Sequence, residues 1–350
     1  MSEHHPRYVQ ALKTHIRNSC PEVGRKPLET LFIGGGTPTV LKAEKLAEII
    51  EVCRETYGFS NDIEISIEAN PGTINIPQLK ILRDAGVNRL SIGVQSFSDN
   101  DLQGLGRAHR SDATLQAAEY GREAGFRNIS LDLMYGLPGQ STDSWQKNLE
   151  QAVALGPQHL SLYQLTIEEN TDFYNRYRAD SLDLPDDGTI IAMEQATRKY
   201  LSAHGIEHYE ISNYARPGYE CRHNIGYWLN EEFVGCGAGA AGFFNGRRYK
   251  VIADPLGYCS AIENGEDVIE ESEVLSPEAS FRETVVMGLR LLKGVDRRRL
   301  YDRYQLTVEE LYGSKVTELV DKGLLEEHED YLKLTDQGRC FANQVMAELV

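Results

Sequence analysis

Short apolar runs alternate along this chain with longer stretches in which apolar residues return every three or four positions. The runs at 28–33, 62–68, 89–94, 128–133, 159–165 and 207–211 read as strands. The segments between them, 43–56, 76–85, 112–124, 144–155 and 189–204, carry helical spacing and often end near glycine. Strand and helix in strict turn predict a parallel sheet with right-handed crossovers. A further helix over 7–18 precedes the first visible strand. In a repeating βα architecture a helix with no strand before it suggests that one unit's strand lies upstream of Met1.

Polar residues gather where these strands end: Gly34 to Thr37, Glu68-Ala-Asn70, Gln95-Ser-Phe97, and Asp132 followed by Tyr135-Gly-Leu-Pro-Gly139. Any one of these is equally a turn or a helix cap, as Asn70-Pro-Gly72 illustrates. Their repetition at consecutive strand ends points to a shared rim, where barrel enzymes bind their ligands. The first of them, a strand running into three glycines, a threonine and a proline, lets a ligand approach main-chain N–H groups. It lacks the spacing of a dinucleotide fingerprint and the Gly-Lys-Ser/Thr of a P-loop.

After about Tyr214 the pattern becomes glycine-rich and aromatic, and 221–248 shows no clear helix period. Helical spacing returns near the C-terminus. There 314–322, the turn Gly323-Leu-Leu325 and the hairpin-like 326–335 look like a winged-helix arrangement. The expected organisation is therefore a βα barrel over 1–215, a glycine- and aromatic-rich extension over 216–278, and a winged-helix-like domain over 279–350. A DNA-binding role is disfavoured, because that helix carries Glu318 and Asp321 and the wing carries Glu326, Glu327, Glu329 and Asp330.

Charge strengthens that exclusion. Thirty-six basic against 53 acidic residues give a net charge of −17, a field that repels phosphate backbones and anionic lipid. The cluster Arg297 to Arg299 is too short to offset it. No run approaches the ~18 apolar residues of a membrane span, and the start lacks a signal-peptide core, so a cytoplasmic protein is expected. The six cysteines, at 20, 53, 221, 236, 259 and 340, are scattered without any C-x2-C or C-x3-C pair, which favours free thiols.

One local cluster offers other chemistry. Cys221-Arg-His-Asn-Ile-Gly-Tyr-Trp228 places a thiol, an imidazole and a phenol within seven residues. Each is a candidate axial ligand for haem iron, and Trp228 offers a broad face to a porphyrin. From the residues alone, a histidine packed among aromatics in a turn is the better explanation of the segment. Cys20-Pro21 is another thiolate–proline pair, close to chance in a chain of this length.

The motifs Gly34-Gly-Gly-Thr-Pro-Thr39, Ser66-Ile-Glu-Ala-Asn-Pro71, Leu90-Ser-Ile-Gly-Val-Gln-Ser-Phe97, Leu105-Gly-Arg-Ala-His109, Asp132-Leu-Met-Tyr-Gly-Leu-Pro-Gly-Gln140 and His223-Asn-Ile-Gly-Tyr-Trp228 follow one another in an order that covers nearly the whole chain. Together they resemble the HemW-type haem chaperones, relatives of the anaerobic coproporphyrinogen III oxidases within the radical S-adenosylmethionine superfamily. The resemblance implies an α/β fold, a partial (β/α)6 barrel here lacking its first strand, with S-adenosylmethionine across the strand ends. Gly35, Gly36 and Thr37 would hold the amino acid end of that cofactor, and Glu68, Gln95, Arg107 and Asp132 would line the rest. Main-chain N–H groups and Arg107 suit a carboxylate, Glu68 an ammonium or hydroxyl, and Asp132 a ribose. Surface pairing of Arg107 with Asp101 and a turn-capping role for Glu68 remain open.

The resemblance further implies His223 as the haem-iron ligand, with Tyr227 and Cys221 behind it. Family members carry C-x3-C-x2-C upstream of the helix that begins here near Arg7, and its three thiolates hold a [4Fe–4S] cluster. These 350 residues contain no such triplet, which favours a chain truncated at its start over a natural cluster-less variant. The implied function is delivery of haem to an acceptor haemoprotein, with no nucleic-acid partner. A membrane-peripheral acceptor and a homodimer are compatible with it. Oxidation of coproporphyrinogen is disfavoured by the absent cysteines, and a cluster-less module binding S-adenosylmethionine or a partner is the third reading.

Overall fold

A computed structural model describes residues 4–23, 26–179 and 181–350, without the side chains of residues 20–23 and 172. Cys20 and Pro21 therefore lie outside the described side chains. The main sheet has seven strands: β1 (Leu28–Ile33), β2 (Phe59–Ala69), β3 (Arg89–Gln95), β4 (Ile129–Tyr135), β5 (His159–Gln164), β6 (Glu207–Glu210) and β7 (Asn213–Ala215). Their order is β1-β2-β3-β4-β5-β7-β6. The strands β2 to β5 pair in parallel, with Glu68 opposite Ser91 and Asp132 opposite Ser161. Between them run the helices Ile76–Asp84, Ser111–Glu123 and Thr142–Ala154, within two residues of the sequence expectation.

One expectation about this sheet is corrected. The apolar run at 207–211 reads as one more parallel strand, whereas the chain turns back after β6 to form β7. It is β7 that pairs with β5, and both of its pairings are antiparallel. Only residues 211 and 212 join β6 to β7, and so short a connection cannot supply the crossover that parallel strands need.

The chain divides into two compact units that are not consecutive segments. One comprises residues 1–31, 44–64 and 221–350, and the other 32–43 and 65–220, so the division passes through β1 and β2. The second unit is built on alternate sheet residues and the inner helix faces. Ile67, Leu90, Ile92, Leu131, Leu133 and Leu160 are buried from the sheet, with Leu79, Leu82, Trp145 and Leu149 from the helices. Gly121 allows close packing here, since a Cβ would stand 3.1 Å from both Ile129 and Leu90. Trp145, the largest of these side chains, satisfies its indole N–H on the Thr197 hydroxyl at 2.7 Å.

The first unit carries two small antiparallel sheets. The strands β8 (Ala241–Phe244), β9 (Arg247–Val251) and β10 (Ile269–Val274) form one, in the order β10-β9-β8. Asn245 and Gly246, both left-handed at φ 51° and 70°, make the two-residue turn from β8 to β9. The strands β11 (Val295–Asp296), β12 (Leu325–His328) and β13 (Tyr331–Leu334) form the other, in the order β11-β13-β12, beside helices Arg297–Tyr304 and Ser314–Asp321. The expectation that 221–248 lacks helix is corrected by helix Arg222–Trp228. Under two turns long, it shows too little of the 3.6-residue period to be read from spacing. The arginine cluster is occupied: Arg297 pairs with Glu309 and Glu327, Arg298 with Asp330, and Arg299 with Glu231.

No helix among the described residues is long and apolar enough to cross a membrane. The packing of Trp145, 1 % exposed, gives a direct stability test. Replacing it with Ala leaves a cavity and removes one of the two hydrogen bonds of the Thr197 hydroxyl, which still donates to the Met193 carbonyl, and should cost about 3–5 kcal/mol in denaturant unfolding, with Trp145→Phe costing less.

Candidate functional site

Two sets of residues stand out, one in each unit. The first lies at the ends of β1 to β4. Gly35 and Gly36 take φ of +81° and +61°, and a Cβ at either would meet nothing within 4 Å, so the loop is both left-handed and open on its outer side. Gly34 is different, because a Cβ there would run into the Phe32 ring and stand 2.9 Å from the Glu68 carboxyl. Glu68 receives the Gly35 N–H at 3.1 Å, and the Asn70 amide donates to the Thr37 hydroxyl at 2.7 Å. The end of β2 thus holds the glycine loop from two sides.

At the end of β3, Gln95 adopts a left-handed φ of 64° where the register with β4 is interrupted, a bulge that re-aims its side chain. Gly93 makes room for this: a Cβ would stand 3.1 Å from the Gln95 amide nitrogen and 3.2 Å from the Asn70 amide oxygen. Asp132 on β4 accepts from the Ser91 hydroxyl on both oxygens, at 3.0 and 2.9 Å, and from Ser130 at 3.3 Å. Burial raises its pKa above the usual carboxylate value, opposed by Ser161, Ser91, Arg89 and Ser130. Glu68 is raised for the same reason, opposed by the Gly35 N–H and reinforced by Asp132. The Ser130 hydroxyl continues to His159 Nδ1 at 2.8 Å, and His159 Nε2 to the Tyr209 hydroxyl at 2.8 Å.

The structure therefore brings together Gly35, Gly36, Thr37, Glu68, Gln95 and Asp132. It does not tie in Arg107, which lies exposed beyond helix Asp99–Gly104 and makes no ion pair among the described residues. Its alternative partner Asp101 is engaged by the Ser96 hydroxyl at 2.7 Å. Ser91, Ser130 and His159 belong to the same network and escaped the sequence reading. Their signal is positional, since residues at registered places on neighbouring strands share a face.

The second set surrounds helix Arg222–Trp228. Glu64, 7 % exposed, accepts the N–H groups of Arg222 and His223 at 3.1 Å each, and the Cys221 thiol at 3.5 Å. The His223 ring is held at both nitrogens, Nδ1 by the Thr30 hydroxyl and Nε2 by the Tyr227 hydroxyl, each at 2.8 Å. Burial brings its pKa down to about 4, with Glu64 opposing, so the imidazole is neutral at ordinary pH. Tyr227 meets His223 and Phe233 edge-on. Two expectations change here. Cys221 is 2 % exposed with its thiol against a carboxylate, a poor setting for a thiolate ligand. One face of Trp228 is covered by the Arg290 guanidinium, 4.4 Å from the ring centre, rather than open to a porphyrin.

The remaining described cysteines are dispersed. Burial pushes Cys53 up to about 12 and Cys236 up to about 11, and Cys259 is also raised. Among the described residues no group of three or more His, Cys, Asp or Glu is placed to hold a metal ion. These side chains do not fit a [4Fe–4S] cluster.

A left-handed glycine loop at the first strand end, with carboxylates and amides at the next three, lies on the α/β scaffold of the radical SAM superfamily. Residues 6–152 match the radical SAM superfamily and residues 275–341 the HemN C-terminal domain. The chain is 38 % identical over 339 residues to the "Heme chaperone HemW" of Bacillus subtilis, covering 97 % of this chain and 89 % of that protein. It is 36 % identical over 347 residues to the HemW of Escherichia coli, covering 98 % and 89 %. The chain belongs to the HemW family of haem chaperones. Its fold is the partial barrel seen in the Escherichia coli coproporphyrinogen III oxidase HemN, at a TM-score of 0.85 and 23 % identity over 100 % of this chain and 84 % of that one.

The superfamily implies S-adenosylmethionine and a [4Fe–4S] cluster. The strand-end set fits the first: an open glycine loop, two carboxylates and two amides match its ammonium, carboxylate and ribose. Gly34→Ala should displace Glu68 and loosen the loop, lowering S-adenosylmethionine affinity about tenfold or more by calorimetry while leaving the circular dichroism spectrum unchanged. Thiol accessibility is checked separately by alkylation mapped by mass spectrometry. Exposed Cys340 should label at once, and Cys53, Cys221 and Cys259 only on unfolding.

Proposed function

We propose that this protein is a cytoplasmic haem chaperone that binds haem at helix Arg222–Trp228 and passes it to an acceptor haemoprotein, on a scaffold whose strand ends hold S-adenosylmethionine. The observation that carries the reading is the His223 imidazole, neutral and oriented from both nitrogens, in a chain of the HemW family. A neutral imidazole with a fixed ring is what an iron ligand requires. Haem is the cargo. When bound, S-adenosylmethionine would supply a sulfonium; Glu68, Gln95, Asp132 and the loop Gly35 to Thr37 would bind and orient it, and Arg107 is the further group proposed for its carboxylate. An acceptor at the membrane surface and a homodimeric chain are forms of transfer that this reading accommodates.

Coproporphyrinogen oxidation is the weaker alternative, since the likeness to that enzyme rests on fold at 23 % identity against 36–38 % to the chaperones. Haem titrated into the purified chain should bind close to one per chain, and His223→Ala should shift the Soret band and weaken retention. Identical titrations of wild type and His223→Ala would make the motif structural, leaving a module that binds S-adenosylmethionine or a partner protein.

A further inference from the structure

Helix Arg222–Trp228 presents His223 between two hydroxyls carried on different elements. Thr30 is a β-branched residue with few rotamers, carried on β1 within the main sheet. Tyr227 lies one helical turn beyond His223, and its hydroxyl stands at the end of a long side chain that rotation about Cα–Cβ displaces. A ligating histidine ordinarily donates its second ring N–H to an orienting acceptor, which fixes tautomer and ring plane. With Nδ1–H donating to Thr30 Oγ1, the lone pair is on Nε2, and that lone pair is what the Tyr227 hydroxyl occupies.

We propose that Thr30 is the positioning residue for His223 as an iron ligand, and that the Tyr227 hydroxyl is a latch which haem iron displaces from Nε2. The inference rests on the haem-binding reading above and extends it to the two groups that govern loading. On loading, the Tyr227 O–H···Nε2 hydrogen bond breaks and an Fe–Nε2 bond forms. The phenol keeps its proton and Nδ1–H stays on Thr30, so no electron or proton leaves the protein. Glu64 contributes upstream by holding the His223 main-chain N–H at 3.1 Å, which sets where the ring starts. One feature favours Tyr227 over Thr30 as the group that yields: Thr30 sits in a strand hydrogen-bonded into the main sheet, whereas Tyr227 lies in a helix of seven residues.

The experiment is haem binding to the full chain followed by stopped-flow and by visible and electron paramagnetic resonance spectra. It compares wild type with Thr30→Val, Thr30→Ser, Tyr227→Phe and His223→Ala. Thr30→Val, nearly isosteric, should weaken haem about tenfold to a hundredfold and broaden the ferric haem signal, with Thr30→Ser restoring both. Tyr227→Phe should raise the association rate severalfold, because the hydroxyl no longer competes for Nε2. If His223→Ala alters the spectrum but Thr30→Val does not, Thr30 has no positioning role and the inference fails while the chaperone reading stands. If Tyr227→Phe instead abolishes the iron signature, Tyr227 is a ligand and the latch is wrong. If His223→Ala changes nothing, both readings fail. Tyr227→Phe leaves the sheet untouched, so the latch is tested even where Thr30→Val disturbs β1.

Discussion

The candidate haem site depends on a buried carboxylate meeting the start of a short helix. Seven residues are too few to stay helical on their own, because nucleation fixes several residues before the first hydrogen bonds repay it. Glu64 supplies what the helix lacks, accepting the Arg222 and His223 N–H groups and the Cys221 thiol from a position nearly closed to water. A carboxylate there also complements the positive end of the peptide dipoles. Further support comes from Arg222, whose guanidinium reaches the Asp62 main-chain oxygen at 2.7 Å and pairs with Glu29 and Asp62 at the surface. Place and direction of His223 follow from these contacts, and the ring hydrogen bonds to Thr30 and Tyr227 complete them.

The strand-end set obeys the same economy in a different form. Asp132 is a partly buried carboxylate, and such a group is tolerated only where donors satisfy it. Ser91 and Ser130 donate, and Ser161 favours its charged form. Ser130 in turn links it to His159, whose pKa burial holds well below the usual imidazole value. The result is a polar floor fixed by strand register, with Glu68, Asn70 and Gln95 at its edge and the open glycine loop held against it. Rigid strands carrying polar ends is the arrangement in which a ligand's charged groups are met without reorganisation.

Much of the barrel was legible because strand and helix periods are long and regular there: 28–33 coincides with β1, and 76–85 with helix Ile76–Asp84 to one residue. The glycine loop and the polar strand ends were legible as chemistry, since Gly, Glu, Gln and Asp at consecutive strand ends have few bland explanations in common. What escaped was set by short range or by tertiary contact. The β6–β7 reversal hangs on two residues, and helix Arg222–Trp228 on a glutamate about 160 residues earlier in the sequence. The covering of Trp228 by Arg290 and the burial of Cys221 are products of packing that no local pattern announces. Asn245-Gly246 is the exception, a plain turn signal within a segment otherwise without period.

The claim at the centre of this account is that the chain hands haem on rather than merely holding it. The direct measurement is the rate of haem movement from the loaded chain into an apo-haemoprotein whose haem-bound spectrum is distinct, followed as acceptor concentration rises. Direct transfer predicts a rate that climbs with acceptor and exceeds the rate at which excess apomyoglobin captures haem released from the same chain. A rate independent of acceptor and equal to that spontaneous release would show passive loss, and would contradict the chaperone reading.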